Sequence, residues 1–142
     1  MKSALQQLLQ NAHPAIRFAL VGCSGFVVDL SMLILLYDVA GLELHPAREI
    51  AFFIAASSNW YWNRQLTFTQ QALSDQKSDE WLRFLVSAVI SAIPNLGVFY
   101  LLMQVLPESW IGIGFALSCG ILLGLFSNYQ LARHWVFRIP SS

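Results

Sequence analysis

Arginine is the residue in this sequence best placed to do chemistry. Arg17, Arg64, Arg83 and Arg133 each border a long apolar run, where a helix would meet lipid headgroups. A guanidinium is a planar fork that binds phosphate oxygens two at a time. Four such forks at one depth, beside helices that touch through small residues, suit a lipid phosphate whose tail lies along a bundle. The same arginines also fit a plainer part, snorkelling to the interface and setting topology.

Two polar residues fall deeper. Asp29 follows Arg17 by 12 positions, which on a helix is roughly 18 Å and reaches the middle of a bilayer. A carboxylate there costs at least a few kcal/mol (about 3 by the lowest scales) and normally faces protein or water. It is either a proton- or substrate-linked site or a hydrogen-bonded structural group. Asn95 occupies the corresponding place later in the chain, and Pro94 beside it should kink its helix and free a carbonyl.

The remaining reactive side chains do not assemble. His13, His45 and His134 lie on separate segments, and Asp75, Asp79 and Glu80 share a polar stretch with no His or Cys. Cys23 and Cys119 each sit within an apolar run and read as free, buried thiols; neither belongs to a Cys-x-x-Cys pair. No metal or cofactor is expected. A sugar-nucleotide transferase would need a soluble domain with carboxylates for metal and base. The longest soluble piece here is about a dozen residues, so the chain is not expected to be an enzyme.

The elements that must hold these residues are helices in a membrane. Of 142 residues, 56% are hydrophobic and 11% charged, against about 25% charged in soluble domains. A soluble core of this size could not hide so much apolar surface. Net charge is zero, which offers nothing toward nucleic-acid binding. Apolar stretches at 18–36, 50–62, 84–106 and 111–131 are read as four spans, a span needing about 20 mostly apolar residues. The second is the least clear, because Arg48 and Glu49 stand at its start. No stretch resembles a cleaved signal peptide.

The sequence repeats itself. Ser58-Asn59-Trp60-Tyr61-Trp62-Asn63-Arg64-Gln65-Leu66-Thr67-Phe68 lies over Ser127-Asn128-Tyr129-Gln130-Leu131-Ala132-Arg133-His134-Trp135-Val136-Phe137 at an offset of 69. Arg17-Phe18 lies over Arg83-Phe84, and Asp29 over Asn95, at an offset of 66. A small loop insertion reconciles the two offsets. The chain therefore reads as a single domain, 1–142, with one repeat at about 15–68, a second at about 81–137 and a leading helix at 1–14. The second span is recovered by this alignment, since it pairs with the fourth.

Seven of the eight Lys and Arg residues fall at one side of these spans, and Arg48 alone falls at the other. Both termini and the middle loop should therefore be cytoplasmic. Trp60, Trp62, Trp81 and Trp135 gather at that side as an aromatic belt, with Trp110 opposite. Two spans per repeat make the repeats point the same way, related by an axis along the membrane normal. The expected fold is all-α: four transmembrane helices as two tandem hairpins in parallel-repeat arrangement.

Small residues mark the contact faces. Gly22, Gly25 and Asp29 share one face of span one, and Ala88, Ser91 and Asn95 hold the same places in span three. Ala47, Ala51, Ala55 and Asn59 recur every fourth residue, matched by Ala116, Gly120, Gly124 and Asn128. Such stripes allow close packing in lipid, and the terminal amides can bond across helices; Asn63 counts with them as a polar residue of the helix-packing faces. Residues 1–13 read as an interfacial helix with Leu5, Leu8 and Leu9 on its apolar side. Arg48 and Glu49 read as a polar collar, Thr69 to Glu80 as a mobile cytoplasmic tether, and Ile139 to Ser142 as a frayed tail.

These residues resemble the GtrA family of small bacterial membrane proteins, whose membrane module also occurs in some dolichol-phosphate-mannose synthases. The likeness runs from Arg17 to Phe137. It rests on Arg17-Phe18, Val21-Gly22, Asp29, Asn59, Asn63-Arg64 and Thr67-Phe68, then on Arg83-Phe84, Asn95, Asn128, Arg133 and Trp135-Val136-Phe137. Leu66 stands where the motif usually has Trp, and Ala132 where Asn is common.

The resemblance implies a protein of cell-surface polysaccharide synthesis in the bacterial cytoplasmic membrane. It implies translocation of a polyprenyl-phosphate-linked sugar beside a glycosyltransferase partner. Two other readings stand: a non-catalytic anchor or scaffold for that glycosyltransferase, and a small proton-coupled multidrug-type exporter, which also has four helices and an acid in the first span. The duplication with its arginine rim argues against the last. Four thin helices scarcely enclose a path for a sugar, so a homo-oligomer or a partner complex is expected.

Overall fold

The computed structural model describes residues 7, 11–69, 76–107 and 109–138, without the side chains at 44, 45, 48, 110 and 113. Most of the expected interfacial helix, positions 70–75 of the expected tether and the expected tail lie outside the described residues, as do the side chains of Arg48 and Trp110.

Four helices follow one another, with no strand among the described residues. Helix α1 is Pro14–Ile34. Pro14 suits its first turn, where the missing N–H would have no partner anyway, and His13 Nδ1 accepts the Ala15 N–H at 3.2 Å. A π-helical turn, Leu35–Val39, extends it. Gly41, at φ 70°, then reverses the chain in a conformation that L side chains rarely adopt. Helix α2 is Leu44–Leu66, α3 is Lys77–Met103 with Pro94 inside it, and α4 is Trp110–Leu131, capped by Ser109 Oγ, which accepts the Gly112 N–H at 3.2 Å. A second π-helical turn, Ala132–Val136, closes the described chain.

Among the described residues, three segments are long and apolar enough to cross a bilayer: Pro14–Val39, Lys77–Met103 and Phe115–Val136. α2 is not among them. It carries His45, Arg48, Glu49, Asn59, Asn63 and Arg64 within its 23 residues.

α1 packs mainly along α2, and α3 mainly along α4; α2 meets α3 over a smaller area and α1 meets α4 over a short stretch. The contacts are made by small side chains: Ala47, Ala51, Ala55 and Ala116 are buried. Large apolar side chains point outward instead, among them Phe26, Val39, Ile93, Val105, Ile111 and Leu122. That inversion suits a hydrocarbon solvent, in which apolar surface gains nothing by hiding and helices associate by close packing.

The cysteines follow the same logic and correct the sequence reading. Both are free, but Cys23 is exposed and Cys119 only half-buried. An apolar run faces the protein interior in a soluble domain; here much of it faces outward.

The first turn of α3 is a second correction. Lys77, Asp79 and Glu80 were expected in a mobile tether, yet α3 begins at Lys77. Asp79 and Glu80 lie in its first turn, where carboxylates complement the helix dipole. Glu80 is buried, held by partners on α2 that local composition does not reveal.

Candidate functional site

One end of the bundle holds the aromatic core: Phe18, Phe68, Phe84, Tyr129, Ala132, Val136 and Phe137. Phe18 and Phe84 come from the starts of α1 and α3, whereas Phe68 and Phe137 follow the ends of α2 and α4. Phe18 meets Phe68 edge-on with centroids 6.2 Å apart, and Phe84 meets Phe137 edge-on at the same 6.2 Å. These are corresponding pairs under the offsets of 66 and 69. Phe68 and Phe137, which correspond to each other, stack at 4.6 Å. Tyr129 fills the remaining side, at 5.4 Å from Phe18 and 6.2 Å from Phe68. Ala132 is sealed within this cluster.

Asn63 brings Phe68 into place. Its carbonyl accepts the N–H groups of both Thr67 and Phe68 at 2.9 Å, and its side-chain oxygen accepts the Thr67 hydroxyl at 2.8 Å. This buried amide therefore helps end α2.

The four arginines stand beside these aromatics, in four different settings. Arg17 donates from Nη1 to the Leu66 carbonyl at 2.9 Å, and its buried Nε has no hydrogen-bond partner among the described residues. Arg64 is buried and donates from Nη1 to both Glu80 oxygens at 2.7 Å. Arg83 pairs with Asp79 one turn earlier on α3 at 2.6 Å, with both side chains close to half exposed. Arg133 is exposed and makes no ion pair among the described residues.

Sequence reasoning missed Glu80 as a site residue. Trp60 Nε1 also donates to it at 3.0 Å, so α2 grips the first turn of α3 with an indole and a guanidinium. Beside this, Trp81 Nε1 donates to Ser57 Oγ at 3.0 Å. Trp60 and Trp81 thus serve the seam between α2 and α3, while Trp62 and Trp135 stay largely exposed, as an aromatic belt requires. The only local signal for the grip is an acid in a helix's first turn. Its partner lies 16 positions upstream.

Further polar side chains lie elsewhere in the bundle. Asn59 packs directly on Gly25, where a Cβ would overlap its amide, and its Oδ1 is buried without a hydrogen-bond partner among the described residues. Asn95 packs on Gly120 and Gly124, and a Cβ at Gly120 would meet the Asn95 carbonyl. Asn128 Oδ1 accepts the Ser87 hydroxyl at 3.2 Å, joining α3 to α4. Asp29 is half-buried on the α1 face that carries Gly22 and Gly25, and no hydrogen bond or ion pair to it is present among the described residues.

The arrangement offers a cationic, aromatic-walled end suited to anions, and polar side chains farther along. A family model described as the GtrA/DPMS transmembrane domain matches residues 17–137. A search of curated proteins gave no match. With all but the two ends of its length matched, the chain belongs to the GtrA/DPMS transmembrane-domain family.

Proposed function

We propose that this multi-pass membrane protein serves a polysaccharide or glycolipid pathway by moving a polyprenyl-phosphate-linked sugar across the bacterial cytoplasmic membrane. It does so without catalysing a covalent step, beside the glycosyltransferase that makes the lipid-linked sugar, and as an oligomer or partner complex. In this reading α2 is a fourth crossing, and both chain ends and the 70–75 connection are cytoplasmic.

The observation that carries the reading is the contact among Phe18, Phe68, Phe84 and Phe137. It supports a parallel doubling in which the starts of α1 and α3 meet the ends of α2 and α4. Arg17, Arg64, Arg83 and Arg133 then share one level, suited to a lipid phosphate at the inner leaflet. Asp29, a carboxylate without a described partner on an inward helix face, supports a polar path for the sugar.

Proteoliposomes carrying labelled polyprenyl-phosphate sugar test this directly. The protein should speed transbilayer movement of the label; equal movement with and without it defeats translocation and leaves the anchor reading. Accessibility labelling of cysteines placed at 64 and 133 should report the same side of the membrane, and opposite sides would remove the parallel doubling.

A further inference from the structure

The two halves treat an anion differently at corresponding places. At the end of α2, Trp60 and Arg64 hold the carboxylate of Glu80 from the first turn of α3. Under the offset of 69, Trp60 and Arg64 correspond to Tyr129 and Arg133; under the offset of 66, Glu80 corresponds to Pro14. The second seat therefore has an aromatic donor and an arginine, but its own chain supplies a proline where the first seat has a carboxylate.

The side chains around that second seat show the consequence. Tyr129 is 8% exposed, and its hydroxyl has no hydrogen-bond partner among the described residues. A buried hydroxyl without a partner costs about 1–3 kcal/mol, and such groups in a folded protein call for an explanation. Arg17, three residues past Pro14, leaves its buried Nε without an acceptor among the described residues. Arg133 is exposed and has no ion-pair partner among them. Arg17 and Tyr129 belong to one corner: Arg17 reaches the Leu66 carbonyl, two residues before Phe68, and the Tyr129 ring stacks on Phe68.

We propose that Tyr129, Arg133 and Arg17 form the seat for a phosphate group, which takes there the part that Glu80 plays in the other half. This rests on the lipid-phosphate reading above and names the residues that carry it. Arg64 is then a structural arginine with a built-in counter-ion, not a phosphate ligand. A phosphate supplies acceptors for a hydroxyl and two guanidinium groups together, which no single neutral group does.

The test fills the seat from within. Full-length protein in nanodiscs is titrated with a long-chain polyprenyl phosphate, with inorganic phosphate and phosphatidylglycerol as separate competitors, and retention is read by native mass spectrometry. Pro14→Glu places a carboxylate in the first turn of α1, where the helix dipole favours it. It should cut lipid retention roughly tenfold or more without lowering the thermal midpoint. Pro14→Ala, which removes the ring and adds no charge, should retain the lipid. Tyr129→Phe keeps both ring contacts, and should also lose about tenfold in retention at an equal or higher thermal midpoint. Displacement by inorganic phosphate as well as lipid assigns the seat to the phosphate group alone, and displacement only by lipid assigns it to headgroup and tail together. Wild-type retention in both Pro14→Glu and Tyr129→Phe, or losses that only track stability, overturns the seat and leaves the proposed function standing. Failure of the wild-type protein to retain any polyprenyl phosphate overturns both.

Discussion

Phe68 and Phe137, 69 positions apart in the chain, stack with ring centroids 4.6 Å apart and planes inclined by 16°. Each also meets the phenylalanine of its own half edge-on, at 6.2 Å. Residues equivalent under the sequence offset touch each other with matched flanking contacts, as the proposed doubling requires. The stack is where both halves depend on one contact.

Phe68→Ala and Phe137→Ala should each lower stability by about 3–5 kcal/mol, the usual cost of deleting a buried aromatic ring. A double-mutant cycle between them should return a coupling of about 0.5–1.5 kcal/mol. Reversible unfolding in mixed micelles measures both, and strict additivity would mean that the rings merely fill space.

The Arg64–Glu80 pair should behave as a buried ion pair. Its side chains are 10% and 4% exposed. Glu80→Ala leaves a guanidinium buried without this counter-charge and should cost about 3–5 kcal/mol. Arg64→Leu with Glu80→Leu should recover most of that loss, because replacing both partners by apolar groups removes the desolvation cost. A double variant as unstable as Glu80→Ala would show that the indole and guanidinium contacts, and not charge compensation, hold the start of α3.

Glycines of the same helices should differ in tolerance. A Cβ at Gly120 would meet the backbone carbonyl of Asn95, whereas one at Gly97 meets nothing within 4 Å. Gly120→Ala must push α3 and α4 apart and should cost about 1–3 kcal/mol. Gly97→Ala should be neutral or stabilising by up to about 1 kcal/mol, the helix propensity gained. Thermal midpoints of the two variants in one detergent decide this.

Asp29→Asn should leave folding intact, since Asp29 has no described partner to lose and the corresponding position already holds Asn95. Translocation of labelled lipid-linked sugar should fall about tenfold or more if the carboxylate belongs to the path. Unchanged transport with unchanged stability would reduce Asp29 to a tolerated polar group.

Much of the architecture was legible in the residues because membrane helices satisfy their own backbone and declare themselves by length and apolarity. Span-like runs around α1, α3 and α4, the small residues at Gly25, Gly120 and Gly124, and the correspondence of Phe18 with Phe84 and Phe68 with Phe137 all depend on local composition or self-similarity. α2 was the weakest reading for a physical reason: Asn63 and Arg64 find their partners only in the fold, and composition sees only their cost.

What tertiary structure alone decided is how each polar group is satisfied. Four arginines look alike in sequence, yet Arg64 is occupied by Glu80, Arg83 by Asp79, and Arg17 by a carbonyl, while Arg133 is exposed. The pairing of Glu80 with Arg64 depends on the packing of α3 against α2, a long-range contact that no local propensity encodes. The part Asn63 takes in ending its own helix is likewise visible only in the fold. Periodicity sets which face a side chain occupies; which group meets it there is set by how the helices pack.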